Sequence, residues 1–202
     1  MQTVEFIDPK EALKELQQFL LNNSFDNDNF FKSPKHKKMR EQYVALCFCQ
    51  GYRVYSGKTW YLYMNDSDPP DVRLCYKPTP NEYIFDQLEI MEIPEKAVSR
   101  NKLVEKQVAD LIVRKKITKP RTGKSSEILC IKLDFDAISF KFDDVAYAIA
   151  DYNPEYKEIW LSYMRSPVLD DMEKTQFAMF KIWPTIEKIE FCVGDIVNYQ
   201  KT

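Results

Sequence analysis

The stretch Ile128-Leu-Cys-Ile-Lys-Leu133 decides the fold class of this 202-residue chain. It is almost wholly apolar, too short for a helix of ordinary length, and lacks the alternation of a half-exposed strand. Runs of this kind are typical of strands buried on both faces, as in sheets that helices cover on either side. The stretch therefore predicts a strand at the centre of a sheet in an α/β protein.

Further strand and helix patterns surround this central run. Aromatic and β-branched runs predict strands, and apolar residues at helical spacing predict helices. The predicted strands are residues 52–55, 59–64, 72–76, 83–93, 158–164 and 187–193, and the predicted helices are residues 8–21, 33–50, 95–116 and 170–180. Gly51 is expected to end the second helix. This order indicates one α/β domain over residues 1–202, with a mixed central β-sheet flanked by helices.

The composition is that of a folded protein without a membrane span. Hydrophobic residues make up 45% and charged residues 30% of the chain, close to the globular average. No apolar run approaches the roughly 18 residues that a membrane-spanning helix needs. The first residues also lack the basic and then apolar order of a signal peptide. We therefore expect a cytoplasmic protein that does not associate with membranes.

Residue counts argue against several classes of site. The chain has 4 glycines and contains no Gly-rich phosphate-binding motif. Its one histidine, His36, lies in a run of lysines, away from any acid that would orient it for nucleophilic catalysis. The 5 cysteines include no CxxC pair, so we interpret them as reduced thiols and not as zinc ligands.

Positive charge is concentrated in two short stretches. Residues 32–40 contain five Lys or Arg, residues 114–124 contain six, and neither stretch contains an acid. Because clustered cations release counterions from a phosphate backbone, such stretches are typical of nucleic-acid contact; an ordinary solvated helix end and loop are the alternative. The candidate nucleic-acid-binding residues are Lys35, Lys37, Lys38, Arg40, Lys115, Lys116, Lys119 and Arg121.

Two carboxylates lie where neighbouring strands could bring them together. Asp71 opens a predicted strand directly after two prolines, and Glu89 lies in the next long strand. Mg²⁺ is commonly held by one or two carboxylates with water and substrate phosphate, and Glu41 in the second helix is a third candidate ligand. Alternatively, Asp71 is an ordinary turn acid and Glu89 faces solvent from an edge strand.

With these motifs the chain resembles the PD-(D/E)xK nuclease superfamily, which has the restriction-endonuclease-like fold. The resemblance covers a nuclease-like core of about residues 34–135, with the motifs in the family's order. They are Glu41 in a helix, Pro70-Asp71 opening a strand, Glu89 in Leu88-Glu-Ile-Met-Glu-Ile93, a helix ending in Lys115-Lys116-Ile-Thr-Lys119, and the central apolar strand. The resemblance implies a Mg²⁺- or Mn²⁺-dependent endonuclease in which Asp71 and Glu89 bind the metal and Glu41 assists.

One position departs from the family pattern. The lysine that supports the attacking water belongs two residues after the acid, where this chain has the apolar Met91. Some members of the fold take this lysine from another element, and Lys96, Lys102 and Lys116 of the following helix are candidates. The chain is thus expected to be a nuclease, or a catalytically weakened descendant that binds nucleic acid, with DNA expected rather than RNA. A non-catalytic α/β protein-interaction module is the alternative, and the oligomeric state stays open.

Aromatic side chains are frequent near the predicted site. Tyr61, Tyr63, Tyr76 and Tyr83 are on or next to the predicted strands that precede Glu89. Aromatic rings can stack on nucleic-acid bases, and they also serve as ordinary cross-strand packing. The sequence leaves both roles open.

Overall fold

The computed structural model describes residues 6–25, 30, 33–64, 72–99, 102–120, 122–135, 139–165 and 176–192. The helices are α1 (Pro9–Asn22), α2 (Lys37–Ser56), α3 (Val104–Ile112) and α4 (Phe142–Ala150). The strands are β1 (Trp60–Met64), β2 (Val72–Thr79), β3 (Glu82–Pro94), β4 (Glu127–Asp134), β5 (Glu158–Arg165), β6 (Gln176–Trp183) and β7 (Glu187–Cys192). A 3-10 turn, Pro34–His36, precedes α2, another, Glu95–Ala97, follows β3, and a third, Lys124–Ser126, precedes β4.

The seven strands form one mixed sheet in the order in which they occur along the chain. β3 pairs with β4 and β4 with β5 in parallel, whereas the other neighbouring strands pair antiparallel. β4 is therefore central, and all its residues except the last are buried. The predicted α/β class and the predicted central strand are confirmed.

Helices cover this sheet on both faces. One core joins α1 and α2 to Leu88 and Ile90 of β3, and we call this side of the sheet the α2 face. The other core joins α3 and α4 to Met91 and Ile93 of β3, and we call this side the α3 face. Successive strand residues point to opposite faces, so odd and even positions along the central part of β3 belong to different layers of the protein.

Gly51 does not end the second helix. α2 continues through it to Ser56, and Gly57, whose φ is 64°, terminates the helix in the left-handed conformation. A Cβ at Gly51 would lie 2.3 Å from Met179 Sδ and 2.5 Å from Phe191 Cε1, so glycine is needed because the helix approaches the sheet closely there. The predicted helix end at residue 50 and the predicted strand at 52–55 are therefore wrong.

The predicted helix over residues 95–116 is also wrong in its first part. After the 3-10 turn, the regular helix begins at Val104, and a π-helical segment, Val113–Ile117, continues α3. The Gln107 side chain accepts a hydrogen bond from Ser99 N at 2.8 Å and donates one to Ser99 O at 3.0 Å. These bonds hold the chain before α3 against the helix instead of continuing it.

Residues 176–180 belong to a strand and not to the predicted helix over residues 170–180, of which residues 170–175 lie outside the described residues. β6 lies between β5 and β7 and is buried on both faces, with Phe177 and Met179 in one core and Ala178 and Phe180 in the other. A short run that is apolar on both sides has no periodicity that separates strand from helix. No bounds were predicted for the helix α4.

The N-terminal helix agrees with its prediction. Asp8 caps it by accepting hydrogen bonds from the backbone N–H of Lys10 at 2.9 Å and of Glu11 at 3.4 Å, and Pro9 occupies the first helical position. Among the described residues, no helix combines the length and the apolar character that a membrane span requires.

Candidate functional site

Glu89 occupies a buried position in β3 on the α3 face. It lies between Leu88 and Ile90, whose side chains enter the core under α2, so its own side chain points the opposite way. β3 is flanked by β2 and β4. The alternative in which Glu89 faces solvent from an edge strand is therefore wrong.

Both carboxylate oxygens of Glu89 have partners from distant parts of the chain. The Lys116 ammonium donates to Oε1 at 2.5 Å, and the Tyr156 hydroxyl donates to Oε2 at 2.9 Å. The exposed fraction is 7% for the Glu89 side chain and 23% for the Lys116 side chain. The site is thus a nearly buried ion pair with a hydroxyl group beside it and one limited opening to solvent at the lysine.

The π-helical segment places Lys116 over this carboxylate. Its end is held by the Thr118 hydroxyl, which donates to Val113 O at 3.0 Å. The buried Lys124 ammonium donates to Ile117 O at 2.9 Å and lies 5.6 Å from the Tyr156 ring centroid. Single π turns within helices occur frequently at functional sites. Here the π turn and the buried lysine fix the geometry of the pair.

Of the three lysines considered as replacements for the motif lysine, the structure brings Lys116 to Glu89. Met91, which occupies the motif position, is buried in the core under α3. Lys124 is buried within the second basic stretch, whereas Lys115 and Lys119 are exposed. The exposed part of this stretch therefore lies beside the Glu89 site.

The structure does not bring Glu41 to Glu89. Glu41 is part of α2, which packs on the other face of the sheet, and it forms an ion pair with Lys37 at 3.2 Å. The predicted role of Glu41 in the shell of the same metal stays a prediction, with the helix that carries Glu41 packed on the opposite face of the sheet from Glu89. Asp71, like Arg121, lies outside the described residues. Its chain neighbour Val72 pairs with Leu88, the residue before Glu89.

Arg40 is a structural residue, contrary to its prediction as a phosphate contact. Its guanidinium is buried, donates to the carbonyl oxygens of Phe30 at 3.1 Å and Ser33 at 2.5 Å, and pairs with Glu92 at 3.3 Å. Lys132 also approaches Glu92, at 3.7 Å. This second buried charge cluster lies on the α2 face, so Arg40 of the first basic stretch packs on the opposite side of the sheet from α3, whose π-helical end begins the second.

Burial opposes thiol chemistry at Cys47, Cys49 and Cys130 at neutral pH. Burial raises the pKa of Cys47, Cys49 and Cys130 to about 12 in each case. These groups are protonated and enclosed in the core, and a protonated thiol is neither a nucleophile nor a metal ligand. Within the described ranges, no three His, Cys, Asp or Glu side chains form a group that could hold a metal ion.

Comparisons with family models, with curated proteins and with solved structures gave no match for this chain. The resemblance to the PD-(D/E)xK nucleases stays a prediction, and the geometry around Glu89 is the basis for assigning a function. Sequence reasoning missed Tyr156, the second partner of Glu89. No local pattern marks it, because it follows α4 and reaches the site through the parallel pairing of β4 with its two neighbours.

Proposed function

We propose that this chain is a nuclease-like protein with the restriction-endonuclease-like fold, which binds nucleic-acid phosphodiesters and hydrolyses them with a divalent metal ion. The contact between Lys116 and Glu89 is the observation that carries the proposal. The family pattern requires a lysine beside the acid of β3, and Met91 cannot supply it. Lys116 meets the same carboxylate from the following helix.

The order of the elements supports the same proposal. From α2 to β4 the chain runs helix, three antiparallel strands, helix, and a strand parallel to the third. This is the order of motifs on which the resemblance depends. The predicted acid of β3 then lies under the helix that connects β3 to β4, where Lys116 is located.

The described residues supply part of a metal site. Glu89 is the carboxylate at this position, and its oxygens accept hydrogen bonds from Lys116 and Tyr156. In the proposal Asp71, next to the β2 residue that pairs beside Glu89, is the second carboxylate for Mg²⁺ or Mn²⁺. Such an ion would lower the pKa of a bound water and stabilise charge on the phosphate. Lys116 Nζ holds a positive charge beside the Glu89 oxygen, where it would face an incoming phosphate.

The exposed cations of the second basic stretch supply the expected nucleic-acid contacts. Lys115 and Lys119 are exposed on the segment that carries Lys116. Cations placed next to a reactive carboxylate can position a phosphate backbone without reading its sequence. DNA is the substrate that we propose.

Glu92 gives the test a matched control, because it is also a carboxylate of β3 paired with a cation, but on the α2 face. Purified wild type should cleave labelled DNA when Mg²⁺ or Mn²⁺ is added. Glu89→Gln should abolish this cleavage, and Glu92→Gln should leave it when assayed below its melting temperature. Loss of activity in Glu92→Gln with activity kept in Glu89→Gln would move the site to the other face.

The non-catalytic α/β protein-interaction module stays the second candidate, and one observation favours it. Both oxygens of Glu89 already have partners, so the ion pair could serve packing alone. Wild type that neither cleaves nor binds nucleic acid at low salt, with either metal present, would refute the nuclease proposal and leave this second candidate.

A further inference from the structure

Part of the α3 face is left open by the helices. Within the described part of the chain, the core under α3 and α4 begins on β3 at Met91 and contains no residue of β1 or β2. Trp60, Leu62, Leu74 and Leu88 point into the core under α2. On the open side Cys75 is buried between its neighbours, and the surrounding alternate positions form a surface that we call the aromatic face: Tyr61, Tyr63, Arg73, Lys77, Tyr83 and Phe85.

An exposed cluster of rings stands at one end of this face. The rings of Tyr83 and Phe85 are stacked with centroids 6.3 Å apart and an interplanar angle of 22°. Phe6 stacks on Tyr83 at 5.3 Å and 15°. Tyr83 and Phe85 nevertheless keep exposed fractions of 44% and 49%. Large apolar side chains grouped in solvent in this way mark a binding surface more often than a passive one.

Cations accompany the rings. Lys77 and Arg73 are exposed on β2, and the Lys77 ammonium lies 5.2 Å from the centre of the Tyr83 ring. The described positions of this face before Glu89 include no acid. Proteins that bind single-stranded nucleic acid combine stacking rings with nearby cations, because the rings contact the bases and the cations contact the phosphates.

We infer that the aromatic face binds single-stranded nucleic acid, stacking unpaired bases on Tyr83 and Phe85 and guiding the strand toward Glu89 and Lys116. This inference rests on the proposed function for its class of ligand. Ring faces can stack on a base only where the base is not already stacked inside a duplex, so the surface selects single strands. Phe85 and Glu89 are four strand residues apart on one side of β3, a distance of about 13 Å. A nucleic-acid strand with one base stacked on Phe85 thus reaches the Glu89–Lys116 ion pair within a few nucleotides.

The same contacts predict that the aromatic face does not distinguish RNA from DNA. Rings touch bases and cations touch phosphates, and neither reads the 2′ position that separates RNA from DNA. Single-stranded DNA and RNA of one sequence should therefore bind with similar affinity. A stable preference for the RNA strand would contradict the inferred contacts.

The test measures fluorescence anisotropy of a labelled single strand and of its duplex, without metal. Tyr83→Ala and Phe85→Ala should each weaken binding of the single strand about 5-fold to 100-fold. Duplex binding should change little in either variant. Phe85→Trp should bind the single strand at least as tightly as wild type does, because tryptophan keeps a stacking surface. This result would show that the weaker binding of Phe85→Ala does not come from a loss of folding.

Ile84 provides the matched control. It lies between the two rings, has an exposed fraction of 42%, and points to the other side of the strand. Ile84→Ala should bind single strands as wild type does. Equal weakening in Ile84→Ala, or unchanged binding in both ring variants, would overturn the inference. So would a wild-type dimer that dissociates on Tyr83→Ala, since the face would then cover a second copy of the chain.

The outcome also separates this inference from the proposed function. Glu89→Gln should bind single strands like wild type while losing cleavage. If wild type binds single strands through the rings but cleaves nothing, binding by the aromatic face is supported and the proposed hydrolytic function is refuted. If wild type cleaves, and the ring variants bind and cleave as wild type does, the proposed hydrolytic function is supported and binding by the aromatic face is refuted.

Discussion

Replacing Lys116 with methionine should destabilise the protein more than replacing its partner Glu89 with glutamine. The two side chains form one ion pair, but Glu89 is 7% exposed and Lys116 is 23% exposed. Lys116→Met removes the positive charge next to a buried carboxylate. Glu89→Gln leaves an ammonium that can turn toward solvent, and it keeps an oxygen to which the Tyr156 hydroxyl can donate.

The burial of the two groups sets the expected magnitudes. Removing one partner of a fully buried ion pair costs about 3–5 kcal/mol. Because water reaches part of Lys116, we expect a loss of about 2–3 kcal/mol for Lys116→Met. For Glu89→Gln we expect a loss of about 1 kcal/mol. The double variant should lose about 1–2 kcal/mol, less than the sum of the single losses, because its second substitution removes a charge that no longer has a partner.

Urea denaturation of the four proteins at neutral pH measures these free energies of unfolding, with equal m-values as the condition for comparing them. Lys115→Met is the control, since it removes an exposed lysine from the same π-helical segment and should change stability by less than about 0.5 kcal/mol. A Glu89→Gln loss as large as that of Lys116→Met would refute the argument from burial. Additive single losses would show that the pair is not coupled in solution.

Three further predictions concern charge, packing and pH. Neutralising Lys115 and Lys119 should reduce the slope of log affinity against log salt for nucleic acid by about 1.4–1.8, and an unchanged slope would exclude them as contacts. Gly51→Ala should lower the melting temperature despite a helix-propensity gain of about 1 kcal/mol, because its Cβ would collide with β6 and β7. Burial opposes ionisation of Asp8, but Arg53 and the capping N–H groups hold its pKa below the usual value. Asp8→Asn keeps the cap, so its stability loss should appear above about pH 4 and vanish in urea titrations as the pH falls through the lowered pKa.

The sequence predicted those elements whose pattern is local. The cap of α1 and the apolar run of β4 are both determined by neighbouring residues, and both were found where expected. The prediction of a helix at the position of β6 was wrong for the opposite reason. Its alternate side chains enter two different cores, so its sequence is apolar at every position but one between Phe177 and Ile182, and only the pairing with β5 and β7 makes it a strand.

Gly51 shows how tertiary contact changes the meaning of a residue. As a local signal, a glycine after an apolar helix reads as a helix end. In the fold it lies within α2 and provides the space for the Met179 sulfur and the Phe191 ring. The glycine that ends the helix is Gly57, which lies between the predicted strands 52–55 and 59–64. Glycine has the same conformational preferences at both positions. The close approach of α2 to the sheet explains why Gly51 lies within the helix and does not end it.

The sequence singled out Glu89 as a candidate, but it could not identify the partners of that carboxylate. Spacing along the sequence could not choose among Lys96, Lys102 and Lys116, because the choice depends on where α3 begins and on the π turn that follows it. The contact with Tyr156 depends further on the crossing from β4 to β5. Because Glu89, Lys116 and Tyr156 come from three separate segments, no local sequence pattern in one segment predicts that they meet.

The two acids of the sequence Glu89-Ile-Met-Glu92 show why the site can be tested cleanly. They differ by three positions on one strand, and an odd difference places them on opposite faces. Each is a carboxylate of β3 with a cationic partner, Lys116 for one and Arg40 for the other. They differ in the helix above them, in the exposed charges beside that helix and in their further partners, the Tyr156 hydroxyl for Glu89 and the Lys132 ammonium for Glu92. A variant of one is therefore a control for the other, and any function specific to Glu89 must come from what Tyr156, α3 and its π-helical end bring to that face.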